Sequence, residues 1–130
     1  MKSLLIVLFF SLFIAACQKA DNTVVDPAKV VITITSPQAG QVFHTGDKVP
    51  IVATVTYPSE LHGYEVKVTD TSSGFIIYDD AQHVHDDHFS INDTVVCTAT
   101  QPIGVKLELA AVIDHDGNQS SSVLNLQFGQ

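Results

Sequence analysis

The chain has 130 residues, with 6 basic residues, all of them lysine, against 14 acidic residues, and a formal net charge of −8 at pH 7. This length accommodates one small domain rather than two. The acidic balance disfavours nucleic acid as a partner, because phosphate binding requires a cationic surface. A mean hydropathy of +0.24 excludes a disordered acidic tail and indicates a folded body.

The first residues have the pattern of a secretion signal. Met1 and Lys2 form a short positive start, and residues 3–13 are a run of eleven residues rich in Leu, Ile, Val and Phe. A helix needs roughly 20 apolar residues to span a bilayer, so this run fits the core of a signal peptide better than a transmembrane segment. We therefore predict a signal peptide over residues 1–16.

The signal is followed by Ile14-Ala15-Ala16-Cys17, which resembles the lipobox of bacterial lipoproteins. The resemblance implies that Cys17 becomes the lipidated N-terminus and attaches the chain to a membrane. Gln18 stands where an Asp would favour the inner membrane in Gram-negative sorting, so the resemblance implies an outer-membrane lipoprotein of the cell envelope. Bacteroidota-type lipoproteins carry an acid-rich export signal after the cysteine, and Asp21 alone leaves open whether the chain faces the periplasm or the cell surface.

Residues 17–29 are polar, contain Pro27 and lack a sustained period, so we predict a flexible tether. From residue 30 onward, apolar and polar residues alternate, with turn residues between the runs. The predicted strands are 30–36, 42–44, 48–57, 62–70, 75–79, 84–92, 104–114 and 121–128. This spacing predicts that residues 30–130 form an all-β, immunoglobulin-like antiparallel β-sandwich of about seven strands.

Particular motifs carry a family resemblance. Residues 34–40 (ITSPQAG), Gly46-Asp47, residues 111–114 (AVID) and Gly117-Asn118 look like the bacterial immunoglobulin-like domains of cell-surface proteins. The tryptophan and the cysteine pair of antibody-type domains are missing, so the resemblance is to the bacterial branch or to a fibronectin-like relative. It implies a spacer, adhesion or ligand-binding module without enzymatic residues. The chain also lacks the Gly-x-Ser-x-Gly, His-Glu-x-x-His and phosphate-loop motifs.

Six histidines stand out in this acidic chain, and three of them lie in the segment His83-Val84-His85-Asp86-Asp87-His88. Alternate side chains of a strand share a face, so His83 and His85 can reach one metal ion. Imidazole binds zinc and copper well, and Asp86 or Asp87 can complete the coordination or orient a ring.

The predicted topology adds two further histidines to this group. If the strands alternate in direction, the connections 58–62, 79–83 and 114–118 emerge at one end and bring His62 and His115 beside His83 and His85. His44 is then at the opposite end. Because Phe89 and Ile91 should face the core, the His83–His85 pair lies either at the rim or beside a bulge near Asp86-Asp87. The alternative is a set of exposed histidines without a metal.

The sequence therefore predicts a lipid-anchored, non-enzymatic binding or accessory module whose partner is an envelope protein or a glycan. The alternative is an envelope protein that binds zinc or copper through His83, His85 and His88, joined by His62 or His115. A third option is a subunit of a surface assembly that pairs through an edge strand. Cys97 has no partner in the chain if Cys17 carries lipid, and we expect it to fill a gap in the core.

Overall fold

The computed structural model describes residues 24–129, so the predicted signal peptide and Cys17 lie outside the described residues. The elements in chain order are a 3-10 turn at Pro27–Lys29, β1 at Val31–Ser36, β2 at Val42–Phe43, β3 at Lys48–Asp70, β4 at Ile76–Val96, β5 at Ile103–Val112 and β6 at Gln119–Phe128. The predicted all-β, immunoglobulin-like fold class is confirmed. Within residues 24–129, no helix has the length and apolar character needed to cross a membrane.

The strand count differs from the prediction because two pairs of predicted strands are continuous. Strand β3 joins the predicted strands 48–57 and 62–70, and β4 joins 75–79 and 84–92. Pro58 and Ser59 have the composition of a turn, but the extended backbone continues past them. The pairing of β3 with β4 shifts register between Thr56 and Leu61 and again between Leu61 and Gly63. These irregularities bend the paired strands β3 and β4 at the positions where the sequence predicts loops.

The two long strands connect two layers of a curled sheet. The first half of β3 pairs antiparallel with β1 and with the C-terminal half of β4. The second half pairs with the N-terminal half of β4 and with β5, and β6 and the short β2 extend that layer. The resulting order is β1-β3-β5-β6-β2, with β4 on the other side of β3.

The core lies between these layers and follows the alternation of the strands. On β3, Val49, Ile51, Ala53 and Val55 are buried while the residues between them are more exposed. Val66 and Val68 of β3 continue the core in the second layer, where they pair with Leu109 and Leu107 of β5. Burial of such side chains stabilises the fold by about 25 cal/mol per Å² of apolar surface.

Cys97 lies in this core with no exposed surface and is a free thiol. Its Sγ is 3.7 Å from the carbonyl oxygen of Phe43. The domain is therefore held together by apolar packing around this cysteine.

The N-terminal segment enters the domain at the bend of β3. The backbone N–H of Asp26 donates to the hydroxyl of Tyr57 at 3.2 Å, and the Asp26 carboxylate accepts from the N–H of Ala28 at 3.1 Å. Val25 lines a cleft of about 300 Å³ together with Glu60 and His62. The chain thus emerges beside the histidines discussed below.

Candidate metal centre at the histidine end

Four of the six histidines gather at one end of the domain, which we call the histidine end: His62 on β3, His83 and His85 on β4, and His115 in the β5–β6 turn. The ring centre of His62 lies 4.7 Å from that of His85 and 4.4 Å from that of His115. His83 lies 4.6 Å from His85 and 5.9 Å from His115, again between ring centres. The structure thus brings together side chains from three separate segments.

His83 and His85 have the closest nitrogen contact of the group. Their Nε2 atoms are 2.8 Å apart, and the two rings are inclined at 80°. One Nε2 must donate its hydrogen and the other must accept it, which for two neutral rings requires different tautomers. The shared face follows from their spacing of two residues along an extended strand.

Glu60 belongs to the same group, although it was missing from the sequence prediction. Its carboxylate oxygen lies 2.8 Å from Nδ1 of His85 and 4.0 Å from Nε2 of His62. One ligand atom from each of Glu60, His62 and His85 lies within 4.8 Å of the others. Glu60 and His62 are two residues apart, which places their side chains on the same face of an extended strand. This spacing could have identified Glu60, but Pro58 and Ser59 gave the segment the composition of a loop.

Gly63 allows β3 and β4 to approach closely beside His83. It pairs with His83 on one side and with Val112 on the other. Its φ is +149°, and a Cβ at this position would lie 2.2 Å from the carbonyl oxygen of Gln82. Only glycine fits at this contact without a shift of the backbone.

The ring of His62 is partly enclosed, and one of its two nitrogens makes no hydrogen bond to the described residues. Its side chain is 22% exposed. Its Nδ1 is buried and has no hydrogen-bond partner among the described residues. Buried polar atoms are generally hydrogen-bonded, so this nitrogen stands out as one that no described protein group engages.

The turn that carries His115 is held by Asp114. Its carboxylate accepts from the side chain of Asn118 at 2.6 Å and from the backbone N–H groups of Asp116 and Asn118. These hydrogen bonds, led by that from the Asn118 side chain, and the neighbouring His62 hold the pKa of Asp114 below its usual range. The turn therefore presents His115 in a defined position.

The structure separates His88, Asp86 and Asp87 from the histidine end. These three residues follow one another on β4 and form their own exposed group. A hydrogen bond with Asp87 and the charges of Asp86 and Asp87 raise the pKa of His88, and the same contact lowers the pKa of Asp87. These contacts form a local ion pair on one strand.

His44 lies apart from both groups. It pairs with Asp47, near the N-terminal end of β3.

The histidine end opens onto a groove of about 310 Å³. The lining includes His62, Gly63, His83, Val112 and His115. Imidazole nitrogens with a carboxylate form a donor set suited to zinc or copper rather than to calcium or magnesium, which prefer oxygen ligands.

Comparisons with known proteins agree with the fold. The chain matches the family model described as "Bacterial Ig domain" over residues 31–120. No curated protein matches the chain.

Solved structures that are similar to the chain include the following two. The sporulation control protein Spo0M from Bacillus subtilis aligns with a TM-score of 0.50 and 10% identity, over 75% of this chain and 47% of that protein. The fibronectin(III)-like modules of CbhA from Clostridium thermocellum align with a TM-score of 0.45 and 24% identity, over 75% of this chain and 45% of theirs. The chain thus spans about half the length of each, and the likeness to Spo0M concerns the fold alone.

The family match covers more than half of the chain, and the alternation and the layers described above agree with it. The chain belongs to the Bacterial Ig domain family.

Proposed function

We propose that this protein is a lipid-anchored module of the bacterial cell envelope that binds an envelope protein or a glycan without catalysing a reaction. The observation that carries the proposal is a segment that resembles a lipobox and ends at Cys17, followed within a short distance by a Bacterial Ig domain over residues 31–120. Ig-like domains are typically non-enzymatic binding or accessory modules, and bacterial ones are often extracellular or associated with the envelope.

The position of Val25 gives the anchored domain an orientation. Val25 lines the cleft beside Glu60 and His62, so the chain leaves the domain at the histidine end. A chain extends by at most about 3.6 Å per residue, so the stretch from Cys17 to Val25 reaches at most about 30 Å. In the anchored protein, the histidine end would therefore face the membrane, and the opposite end would face outward.

The surface chemistry supports a binding role with a partner that is not polyanionic. The net charge of −8 repels polyanions. Two clefts of the described residues, of about 310 and 300 Å³, both lie at the histidine end. Recognition of a protein or a glycan at the opposite end would therefore use the surfaces and edges of the strands, and an edge strand such as β1 offers backbone groups for pairing with a further envelope subunit.

Lipidation is tested by expressing the full chain in a Gram-negative host and analysing the N-terminus by mass spectrometry. We expect a diacylglyceryl group on Cys17 and recovery in the membrane fraction. Cys17→Ser should remove the lipid and release the protein, whereas the matched control Cys97→Ala should remain in the membrane. Unmodified protein of unchanged length, or equal lipid on both variants, would contradict the anchor.

The location is tested in the same cells by separating inner and outer membranes on a density gradient. Recovery with the outer membrane is expected. Protease added to intact cells then distinguishes a surface-exposed domain, which is digested, from a periplasmic one, which is protected. Recovery of the lipidated chain with the inner membrane would contradict the outer-membrane part of the proposal.

Binding of zinc or copper is a second candidate function. The close approach of four imidazoles at the histidine end favours it. It requires neither the anchor nor a protein partner.

A further inference from the structure

We infer that His62, His83 and His85 bind one zinc or copper ion, with Glu60 orienting the ring of His85. This inference deepens the second candidate function by assigning its ligands, and it changes the set predicted from sequence. Glu60 enters the site, whereas His88, Asp86 and Asp87 leave it, and His115 lies beside the site without being assigned as a ligand.

The first step concerns the distance between the nitrogens of His83 and His85. Two nitrogens bound to a tetrahedral zinc ion, each about 2.0–2.1 Å from the metal, lie about 3.3 Å apart. The Nε2 atoms of His83 and His85 are 2.8 Å apart. Small rotations of these two partly exposed rings are therefore enough to admit an ion between them.

The second step concerns the tautomer of His85. Its Nδ1 lies 2.8 Å from the Glu60 carboxylate, which accepts the Nδ1–H. The Nε2 atom of neutral His85 then carries a lone pair, which accepts from the Nε2–H of His83. A bound ion would take the place of that hydrogen, and His83 would carry its hydrogen on Nδ1 instead. A histidine that donates one ring N–H to a carboxylate while its other nitrogen binds a metal is the usual arrangement in metalloproteins.

The third step adds His62 as a ligand. Its ring centre is 4.7 Å from that of His85 and 6.2 Å from that of His83. One ligand atom from each of His62, His85 and Glu60, an oxygen in the case of Glu60, lies within 4.8 Å of the others. The buried Nδ1 of His62 has no hydrogen-bond partner among residues 24–129. Rotation of this ring towards the ion would engage a nitrogen that the surrounding protein leaves unsatisfied.

The fourth step separates this site from the second group of possible ligands. Asp86, Asp87 and His88 come from one continuous segment, and their side chains are exposed by 49%, 65% and 74%. Nδ1 of His88 is already engaged by Asp87. No other element contributes a ligand to this group within the described residues, whereas the histidine end combines β3 with β4.

The identity of the ion follows from its ligands. Neutral imidazole favours zinc and copper, while calcium and magnesium require several oxygen ligands. The nearby carboxylates of Glu60 and Asp114 add negative charge that favours a cation. Three protein ligands leave a coordination position open to water or to a donor from a binding partner.

The test is a calorimetric titration of untagged residues 18–130 with Zn²⁺ and, separately, with Cu²⁺, Ca²⁺ and Mg²⁺. Residues 24–129 contain the complete described core, so the chain is expected to fold without its leader. We expect one Zn²⁺ or Cu²⁺ per chain and no heat of binding from Ca²⁺ or Mg²⁺. Absence of Zn²⁺ and Cu²⁺ binding, or equal binding of Ca²⁺, would overturn the inference.

The variants assign the ligands. His83→Ala combined with His85→Ala should weaken binding by about 100-fold or more, since second-shell changes alone cost about 10–100-fold. The matched control His88→Ala removes an imidazole from the same strand and should leave the affinity unchanged. If the double variant and His88→Ala lose affinity for the metal equally, or if only His88→Ala loses it, the metal binds at the Asp86–His88 group and the assignment is overturned.

A spectroscopic measurement on the unmodified chain tests the site without relying on variants that could misfold. The electron paramagnetic resonance spectrum of the Cu²⁺-loaded protein should show hyperfine coupling to at least two imidazole nitrogens. A spectrum typical of oxygen ligands alone would contradict the site. Because neither test requires lipid or a partner, failure here leaves the proposed envelope function standing, and failure of lipidation leaves the metal site standing.

Discussion

The carboxylate of Glu60 lies 2.8 Å from Nδ1 of His85, although 25 residues separate them along the chain. The contact exists because β3 and β4 run antiparallel and Leu61 is paired with Asp86. It holds the His85 ring with its Nε2 towards His83. A surface carboxylate thus determines the direction in which this imidazole presents its free nitrogen.

This contact predicts the behaviour of Glu60→Gln. The amide removes the negative charge that polarises His85, so we expect the affinity for Zn²⁺ to fall by about 10–100-fold. The free energy of unfolding should change little, because Glu60 is 59% exposed. Calorimetric titration and urea unfolding check the two parts of the prediction.

The matched control is Glu65→Gln on the same strand. Glu65 forms an ion pair with Lys67 at 2.5 Å and is outside the proposed ligand set. Its variant should retain the affinity for Zn²⁺. If Glu60→Gln and Glu65→Gln bind Zn²⁺ equally well, Glu60 has no role in orienting His85.

A second prediction concerns the close approach of β3 and β4 at Gly63. Alanine would place its Cβ 2.2 Å from the carbonyl oxygen of Gln82, which is part of the backbone and cannot rotate away. We expect Gly63→Ala to lower the free energy of unfolding by more than about 1 kcal/mol and to displace His83 from His85. Urea unfolding and Zn²⁺ titration measure these effects.

Gly74→Ala separates the steric contact from the cost of a positive φ. Gly74 has a φ of +74° and no atom within 4 Å of the added Cβ. Its variant should lose stability but keep the affinity for Zn²⁺. Retained Zn²⁺ affinity in Gly63→Ala would show that the tight contact is not needed for the site.

A third prediction concerns the flank of the sandwich, where the Tyr78 hydroxyl donates to the Asp93 carboxylate. These residues lie in opposite halves of β4, so the bond connects the two layers. Burial, the hydrogen bond and the charge of Asp93 raise the pKa of Tyr78. Loss of a charged hydrogen bond should make Tyr78→Phe less stable by about 1–2 kcal/mol in chemical unfolding.

Tyr64→Phe removes a hydroxyl from the same flank as a control. The Tyr64 ring packs on Phe89, with ring centres 5.2 Å apart, and its hydroxyl makes no side-chain hydrogen bond among residues 24–129. This variant should lose less stability than Tyr78→Phe. The reverse order of stabilities would exclude the Tyr78–Asp93 bond as a link between the layers.

A fourth prediction concerns pH and the turn between β3 and β4. Asp70 accepts hydrogen bonds from the hydroxyls of Ser73 and Ser72, both at 2.7 Å, and from the backbone of Ser72. These bonds, the one from the Ser73 side chain foremost, lower the pKa of Asp70 from 3.8 to about 2. A depressed native pKa means that this contribution to stability is complete above the unfolded value and is lost as the pH falls towards 2.

Urea unfolding between pH 6 and pH 2 tests this sign. The wild type should be more stable than Asp70→Asn at pH 6, and the difference should shrink between about pH 4 and pH 2. Ser73→Ala should raise the pKa of Asp70 in an NMR titration, whereas Ser121→Ala on the exposed face of β6 should not. A stability difference that stays constant down to pH 2 would contradict the prediction.

The sequence by itself determined the fold class. Alternation such as that from Val49 to Val55 reflects the two-residue period of a strand, which is a property of the local backbone. The same period placed His83 and His85 on one face. The turn chemistry of residues 114–118 likewise depends on neighbouring residues, so the β5–β6 hairpin was predictable.

Tertiary structure decided the strand count and the membership of the site. Pro58 and Ser59 resemble a turn in isolation, but hydrogen bonding to β4 keeps the chain extended on both sides of the bend. Glu60 meets His85 because of the register between β3 and β4. The shift in that register also moves His88 into the other layer, opposite Thr56.

The difference has one physical origin. Which face a side chain occupies depends on dihedral angles within a few residues, whereas which side chains meet depends on the register of strands that are distant in sequence. Gly63 is a case in which a local property affects the pairing of distant strands. Its missing Cβ lets the backbone of Gln82 approach and so brings His83 alongside β3. The sequence determined the donors on each strand, and the pairing of β3 with β4 decided which of them lie close enough to share an ion.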